Sequence, residues 1–235
     1  MQSPPPGATL LGVWAHPDDE TFLSAGIMAA AVDQGSRVVC VTATRGELGS
    51  SDPTRWPSGP QLAEVRTAEL MEALSVLGVT EHHWLDYPDG GCPEADSAEA
   101  ISRLTAMIND VRPDAILTFG PDGMTGHADH RTVSGWVSES RKRSAVAAQV
   151  FHAIHTDEWL DQFKPALDEV GAFMGFHPPS VHREQADIGV VLDGAALDRK
   201  LAALTAQVSQ TESLFAALGP ALARDALAEE VFVHG

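Results

Sequence analysis

The chain has 235 residues, with 15 Lys and Arg against 33 Asp and Glu, a formal net charge of −18. Hydrophobic residues make up 44% and charged residues 20%, a globular balance that excludes a disordered chain. The acidic excess argues against nucleic acid or an anionic membrane surface as partner, because phosphate recognition needs clustered Lys and Arg. No apolar run approaches the ~20 residues that span a bilayer. Residues 1–7 carry no basic side chain and the apolar stretch 8–15 runs straight into charge, which is not a signal-peptide pattern. Of the two cysteines, Cys40 sits in an apolar run and Cys92 in a turn. A bridge between them stays open, but two cysteines do not make a disulfide framework. These features point to a cytoplasmic protein.

Along the chain, residues 9–15 form a buried-strand run, and a helical stretch over 21–34 ends at Gly35. Residues 37–43 read as a second strand, followed by a Gly-, Ser- and Pro-rich loop over 45–60. Leu62, Val65, Ala68, Met71, Leu74 and Leu77 mark an amphipathic helix stopped by Gly78. Residues 82–85 are a short strand ended by the turn 88–91. Asp96 with Glu99 opens a helix whose inward face is Ile101, Leu104, Ile108 and Val111. A strand over 114–119, a helix over 132–147 and a strand over 149–155 follow. The segment 158–170 reads as a helix interrupted by Pro165. Residues 188–192 are a late strand. Leu197, Leu201, Leu204, Val208, Thr211, Phe215 and Leu218 then trace one face of a single long helix closed by Gly219 and Pro220, and that face leaves a homo-oligomer open.

Strands alternating with helices predict an α/β fold: a Rossmann-like, three-layer α/β/α sandwich around a mostly parallel sheet. We expect one domain over 1–235, with a core at 8–155 and a less regular, pocket-forming and helical region at 156–235. In such sheets ligands bind beyond the carboxyl ends of the strands. There the first strand delivers His16-Pro17-Asp18-Asp19-Glu20, and the strand over 114–119 delivers Gly126-His127-Ala128-Asp129-His130. Alone, the first cluster also reads as a helix cap and the second as a solvated loop. Together they place imidazoles and carboxylates at one end of one sheet. Their aspartates would repel unless a cation lay between them. Two imidazoles and a carboxylate suit a catalytic zinc with one open position.

These stretches resemble the LmbE/PIG-L family of zinc-dependent N-deacetylases. The A-H-P-D-D-E hallmark is present from Ala15 to Glu20, and the G-H-x-D-H hallmark from Gly126 to His130. Weaker matches are Thr44-Arg45-Gly46-Glu47-Leu48-Gly49, and Arg66 and Glu69 ahead of Leu77-Gly78-Val79. The resemblance is clear over roughly the first 135 residues and looser beyond His155. It implies one Zn²⁺ per chain, or another divalent metal, held by His16, Asp19 and His130. Asp18 is then the general base. His127 stabilises the oxyanion or protonates the leaving nitrogen, with Asp129 orienting its ring. Arg66 and Asp89 resemble substrate-binding positions; read bottom-up, they are equally a helix arginine and a turn aspartate. The implied activity is metal-activated water attack on the acetamide of an N-acetylated amino sugar of the GlcNAc type, or its conjugate. An amidase for another amide, such as a thiol conjugate, and a non-catalytic metal-binding module are the alternatives. The chain's only tyrosine is Tyr87, and Thr125 stands two residues before His127, where some relatives place a tyrosine.

Overall fold

In the computed structural model, which describes residues 7–173 and 175–235, the chain opens with β1 (Leu10–Trp14), α1 (Asp19–Asp33), β2 (Val38–Thr44), α2 (Pro60–Leu77) and β3 (Glu81–Tyr87). Residues 1–6 of the N-terminal stretch weighed above lie outside the described residues. There follow α3 (Ser97–Val111), β4 (Ala115–Phe119), α4 (Ala128–Arg143), β5 (Gln149–Ala153), β6 (His155–Thr156) and α5 (Asp157–Glu169). The last elements are β7 (Ser180–Val181), β8 (Ile188–Val191), α6 (Gly194–Ala206), α7 (Val208–Ala226) and β9 (Glu229–His234).

The main sheet has seven strands in the order β3-β2-β1-β4-β5-β9-β8. The first five are parallel, and β9 runs antiparallel between β5 and β8. Every residue of β1, β2 and β4 is buried, which is why these strands are near-continuous apolar runs, interrupted only by threonines, rather than alternating ones. Helices α1, α2 and α6 pack together on one face, and α3 with α4 on the other. The α/β three-layer architecture is therefore as predicted.

Local signals explain most boundaries. Gly78 ends α2 in the left-handed region at φ 78°. The Asp96 carboxylate caps α3 by accepting from the Ala98 and Glu99 N–H groups. Three expectations need correction. Helix α4 starts at Ala128 rather than Thr132, because His127 caps it, its Nδ1 accepting from the Asp129 N–H. The single long C-terminal helix is two helices, broken at Gln207, and α7 continues past a kink at Gly219 instead of closing there. Strand β9 was not foreseen. Its Glu230 is buried and salt-bridged to Lys200, so the strand lacks the apolar pattern of a sheet interior.

Candidate active site

The strand order reverses between β1 and β4, and chain leaving their carboxyl ends frames a crevice. His16 follows β1 directly, and Asp19 is the first residue of α1. Asp129 and His130 lie in the first turn of α4. Two separate connections are thus fixed against one another by the parallel pairing of β1 with β4.

His16 Nδ1 lies 3.1 Å from His130 Nε2 and 3.6 Å from Asp19 Oδ2. His130 Nε2 lies 3.4 Å from Asp19 Oδ1. Two ligands of a tetrahedral zinc with bonds of about 2.0–2.1 Å stand about 3.3 Å apart, so all three spacings suit one small cation. The far side of each ring supports this. His130 Nδ1 faces the Gly123 carbonyl at 2.9 Å, and a carbonyl only accepts, so Nδ1 keeps the proton and Nε2 its lone pair. His16 Nε2 faces Asp129 Oδ2 and Asp89 Oδ1, both at 3.2 Å, which leaves Nδ1 turned to the same point as His130 Nε2. Lone pairs so close repel unless a proton or a metal lies between them. Burial opposes a charge on His16, yet the carboxylates of Asp129, Asp89 and Asp19 outweigh it and raise its pKa to about 10. Burial depresses His130 to about 4. His16 also joins two wider sets of ligand atoms, one with His127 and His130, the other with Asp89 and Asp129.

Asp18 stands beside this group with a backbone φ of 127° and ψ of −31°, a conformation L-residues avoid. Burial lifts its carboxyl to about 7, against the pull of the Arg66 guanidinium 3.3 Å away. Arg66 is 4% exposed. It also donates to the carbonyls of Gly46 at 2.8 Å, Gly49 at 3.2 Å and Pro17 at 2.5 Å. Gly46, at φ 66°, has no room for a Cβ against that guanidinium.

The expectation has the Asp129 carboxylate orienting the His127 ring, whereas the hydrogen bonds of that carboxylate in this structure go to other groups. The Asp129 side chain is fully buried and accepts from the Gly90 N–H at 2.7 Å and the Cys92 N–H at 3.1 Å, with the remaining contact to His16. The first turn of α4 points this carboxylate inward at the turn after β3. His127 instead accepts at Nδ1 from the Asp129 N–H, which leaves Nε2 as its N–H. Its ring centroid is 4.7 Å from that of His16 and 5.1 Å from that of His130. Burial and the neighbouring His16 lower its pKa, so it stays neutral. Asp89 lies at the site, its Oδ2 accepting from the Leu48 N–H at 2.9 Å. Burial is outweighed there by His16, which holds the Asp89 carboxyl at about 2.

Tyr87 packs on Trp136 at 5.0 Å, and Thr125 Oγ1 is 3.5 Å from His130 Nδ1. His155 stacks on Trp159 and His182 pairs with Asp157, so neither joins the metal group. Sequence reasoning quoted Glu20 at the end of the hallmark without giving it a role and missed Gln207; both are buried and bonded to each other behind Asp18. Gln207 is a polar residue within a helical pattern, and nothing in its spacing marks it as inward.

Residues 11–140 match the family described as PIG-L: GlcNAc-PI de-N-acetylase. A 1D-myo-inositol 2-acetamido-2-deoxy-alpha-D-glucopyranoside deacetylase of Kineococcus radiotolerans is 31% identical, over 91% of this chain and 72% of its own length. The enzyme of the same name from Mycobacterium sp. (strain KMS) is 39% identical over 52% of this chain and 46% of its own, so the chain spans under half of that relative. Among solved structures, the N,N'-diacetylchitobiose deacetylase of Pyrococcus horikoshii superposes with a TM-score of 0.67 at 22% identity, covering 100% of this chain and 87% of the other, a likeness of fold. With both hallmark stretches inside the matched residues and a relative that aligns with 91% of this chain, the chain belongs to the PIG-L family.

Proposed function

We propose that this protein is a zinc-dependent hydrolase that removes the acetyl group from an N-acetylated amino sugar of the GlcNAc type, or from its conjugate. The observation that carries this reading is the convergence of His16 Nδ1, His130 Nε2 and Asp19 within 3.1–3.6 Å, with Asp18 adjacent and His127 beside them. His16, Asp19 and His130 would hold one divalent cation, which when bound supplies Lewis acidity to the amide carbonyl and to water. Asp18 takes the proton from the attacking water, and its elevated pKa suits a base working near neutrality. Arg66 fixes that carboxylate in place. His127, with its proton on Nε2, donates a hydrogen bond to the developing oxyanion, and the proton that Asp18 took from water passes to the departing nitrogen as the C–N bond breaks. Asp89 holds His16 through Oδ1 and stands at the edge of the group where sugar hydroxyls would arrive. Strands β8 and β9 complete the same sheet as β1 to β5, which supports one functional domain over the whole chain. The substrate is a small sugar, not a nucleic acid or membrane lipid. Buried free thiols at Cys40 and Cys92 fit a cytoplasmic setting.

The test is a panel of 2-acetamido-2-deoxyglucosides, inositol-linked ones included, incubated with Zn²⁺-loaded protein while acetate and free amine are followed. Acetate and amine should appear in equal amounts. Amine release from a thiol-conjugate amide with no acetate from any sugar would favour the other amidase reading. Inertness toward every amide would overturn both.

A further inference from the structure

We propose that Gln207, at the break between α6 and α7, is a positioning residue for Asp18, acting through Glu20. The inference rests on the deacetylase reading with Asp18 as its base. Gln207 is 1% exposed and non-helical, at φ −94° and ψ 55°. Its Nε2 donates to Glu20 Oε1 at 2.9 Å. Glu20 is fully buried; its Oε1 also accepts from Thr21 Oγ1 at 2.6 Å, and its Oε2 accepts from the Asp18 N–H at 3.1 Å. Asp18 holds a backbone conformation that survives only where its surroundings over-determine it. Arg66 grips the preceding carbonyl of Pro17 and the Asp18 carboxylate. Glu20 grips the N–H from behind. Gln207 supplies the donor that fixes the Glu20 carboxylate in that orientation. Had α6 and α7 formed one helix, as the apolar spacing predicts, residue 207 would be tied into regular helical geometry.

The same break clamps the loop over the site. Ser209 donates to Glu69 through its N–H at 2.9 Å and its Oγ at 2.6 Å. Its carbonyl accepts from the Ser51 N–H at 2.8 Å. Gln210 Nε2 donates at 3.1 Å to the Gly49 carbonyl, which Arg66 also uses. Gln207, Ser209 and Gln210 lie beyond the stretch 11–140 that matches the family. A C-terminal segment thus sets the geometry of a base carried by the N-terminal motif.

The experiment measures kcat, KM and bound metal for wild type, Gln207→Met, Asp18→Asn and the double variant, at a temperature where circular dichroism shows all four folded. Gln207→Met should lower kcat by roughly 10–100-fold, the scale of an ångström-level misplacement. KM and metal content should stay within about twofold, inside the context scatter of such measurements. In the Asp18→Asn background the substitution should add no further loss. Equal losses in both backgrounds, or an unchanged kcat, overturn the proposal. Gln207→Asn, which keeps an amide one methylene short of Glu20, should behave as Gln207→Met and covers the case in which that variant does not fold. A crystal structure of either variant should show Asp18 out of its φ of 127° with His16, Asp19 and His130 in place; an unmoved Asp18 overturns the proposal independently of activity. Wild type that releases no acetate overturns the deacetylase reading instead, and the crystal structure then decides the positioning.

Discussion

Asp18, partly exposed, and Asp129, fully buried, are carboxylates beside the same group of imidazoles, and the geometry gives them different work. Asp18 is paired with Arg66 and stands off the group of ligand atoms. Asp18→Asn should keep bound metal and lose turnover by roughly 10²–10⁴-fold, the worth of a general base; single-turnover kinetics with metal analysis checks both. Asp129 sits behind His16 and fixes which nitrogen of that ring faces the centre. Asp129→Asn should therefore weaken metal affinity by roughly 10–100-fold, measured by competition with a chelator. Had Asp129 served His127, as the motif alone implied, the same substitution would lower kcat at unchanged metal affinity. The clustering at this site was legible in sequence because His16, Asp18, Asp19, His127, Asp129 and His130 are packed into two short stretches at strand ends. Partner choice within the cluster was not legible, because two side chains in one turn of α4 point to opposite neighbours and only the packed backbone decides which.

At the scale of elements, α1 is held from outside by a buried ion pair. Lys200 of α6 and Glu230 of β9 are both fully enclosed, 2.9 Å apart. Glu230 accepts from the mid-helix N–H groups of Gly26 at 2.8 Å and Ile27 at 2.9 Å, and Lys200 Nζ donates to the Phe22 carbonyl at 2.7 Å. A charge stranded by loss of its partner is costly, so Lys200→Met should destabilise the fold by about 3–5 kcal/mol. Adding Glu230→Gln should recover part of this, because the amide oxygen keeps one acceptor for α1; urea denaturation at equilibrium measures both. An outcome within about 0.5 kcal/mol of wild type, the range of ordinary surface substitutions, would show the pair to be incidental. The same pair explains the limits of sequence reading at this scale. Strands β1, β2 and β4 announce themselves because they are apolar apart from the buried threonines Thr42, Thr44 and Thr118 and are covered on both faces. β9 and the α6–α7 break do not, because Glu230 and Gln207 are polar residues turned inward where pattern assigns polar residues to solvent.

Over the whole molecule, folding suppresses the protonation of histidines remote from the site. Burial depresses His155 to about 3, where it stacks on Trp159 at 3.9 Å. Burial, with His83 and Arg45 nearby, depresses His82 to about 4. Both folded values lie below the unfolded value near 6.5. Between the two, the unfolded chain binds protons that the folded chain refuses, so stability is highest above about pH 6.5 and falls as the solution is acidified. The decline from His82 ends near pH 4 and that from His155 near pH 3. Net charge works the other way, since acidification relieves the self-repulsion of a chain carrying −18. A single substitution separates the two effects. His155→Phe keeps an aromatic ring against Trp159 and removes one titrating group while leaving the net charge at neutral pH unchanged. Its unfolding free energy should fall less steeply than that of wild type between about pH 6.5 and 4, by a slope approaching 1.4 kcal/mol per pH unit less what residual solvent contact screens. Parallel pH profiles for the two proteins would mean that His155 accepts a proton as readily folded as unfolded.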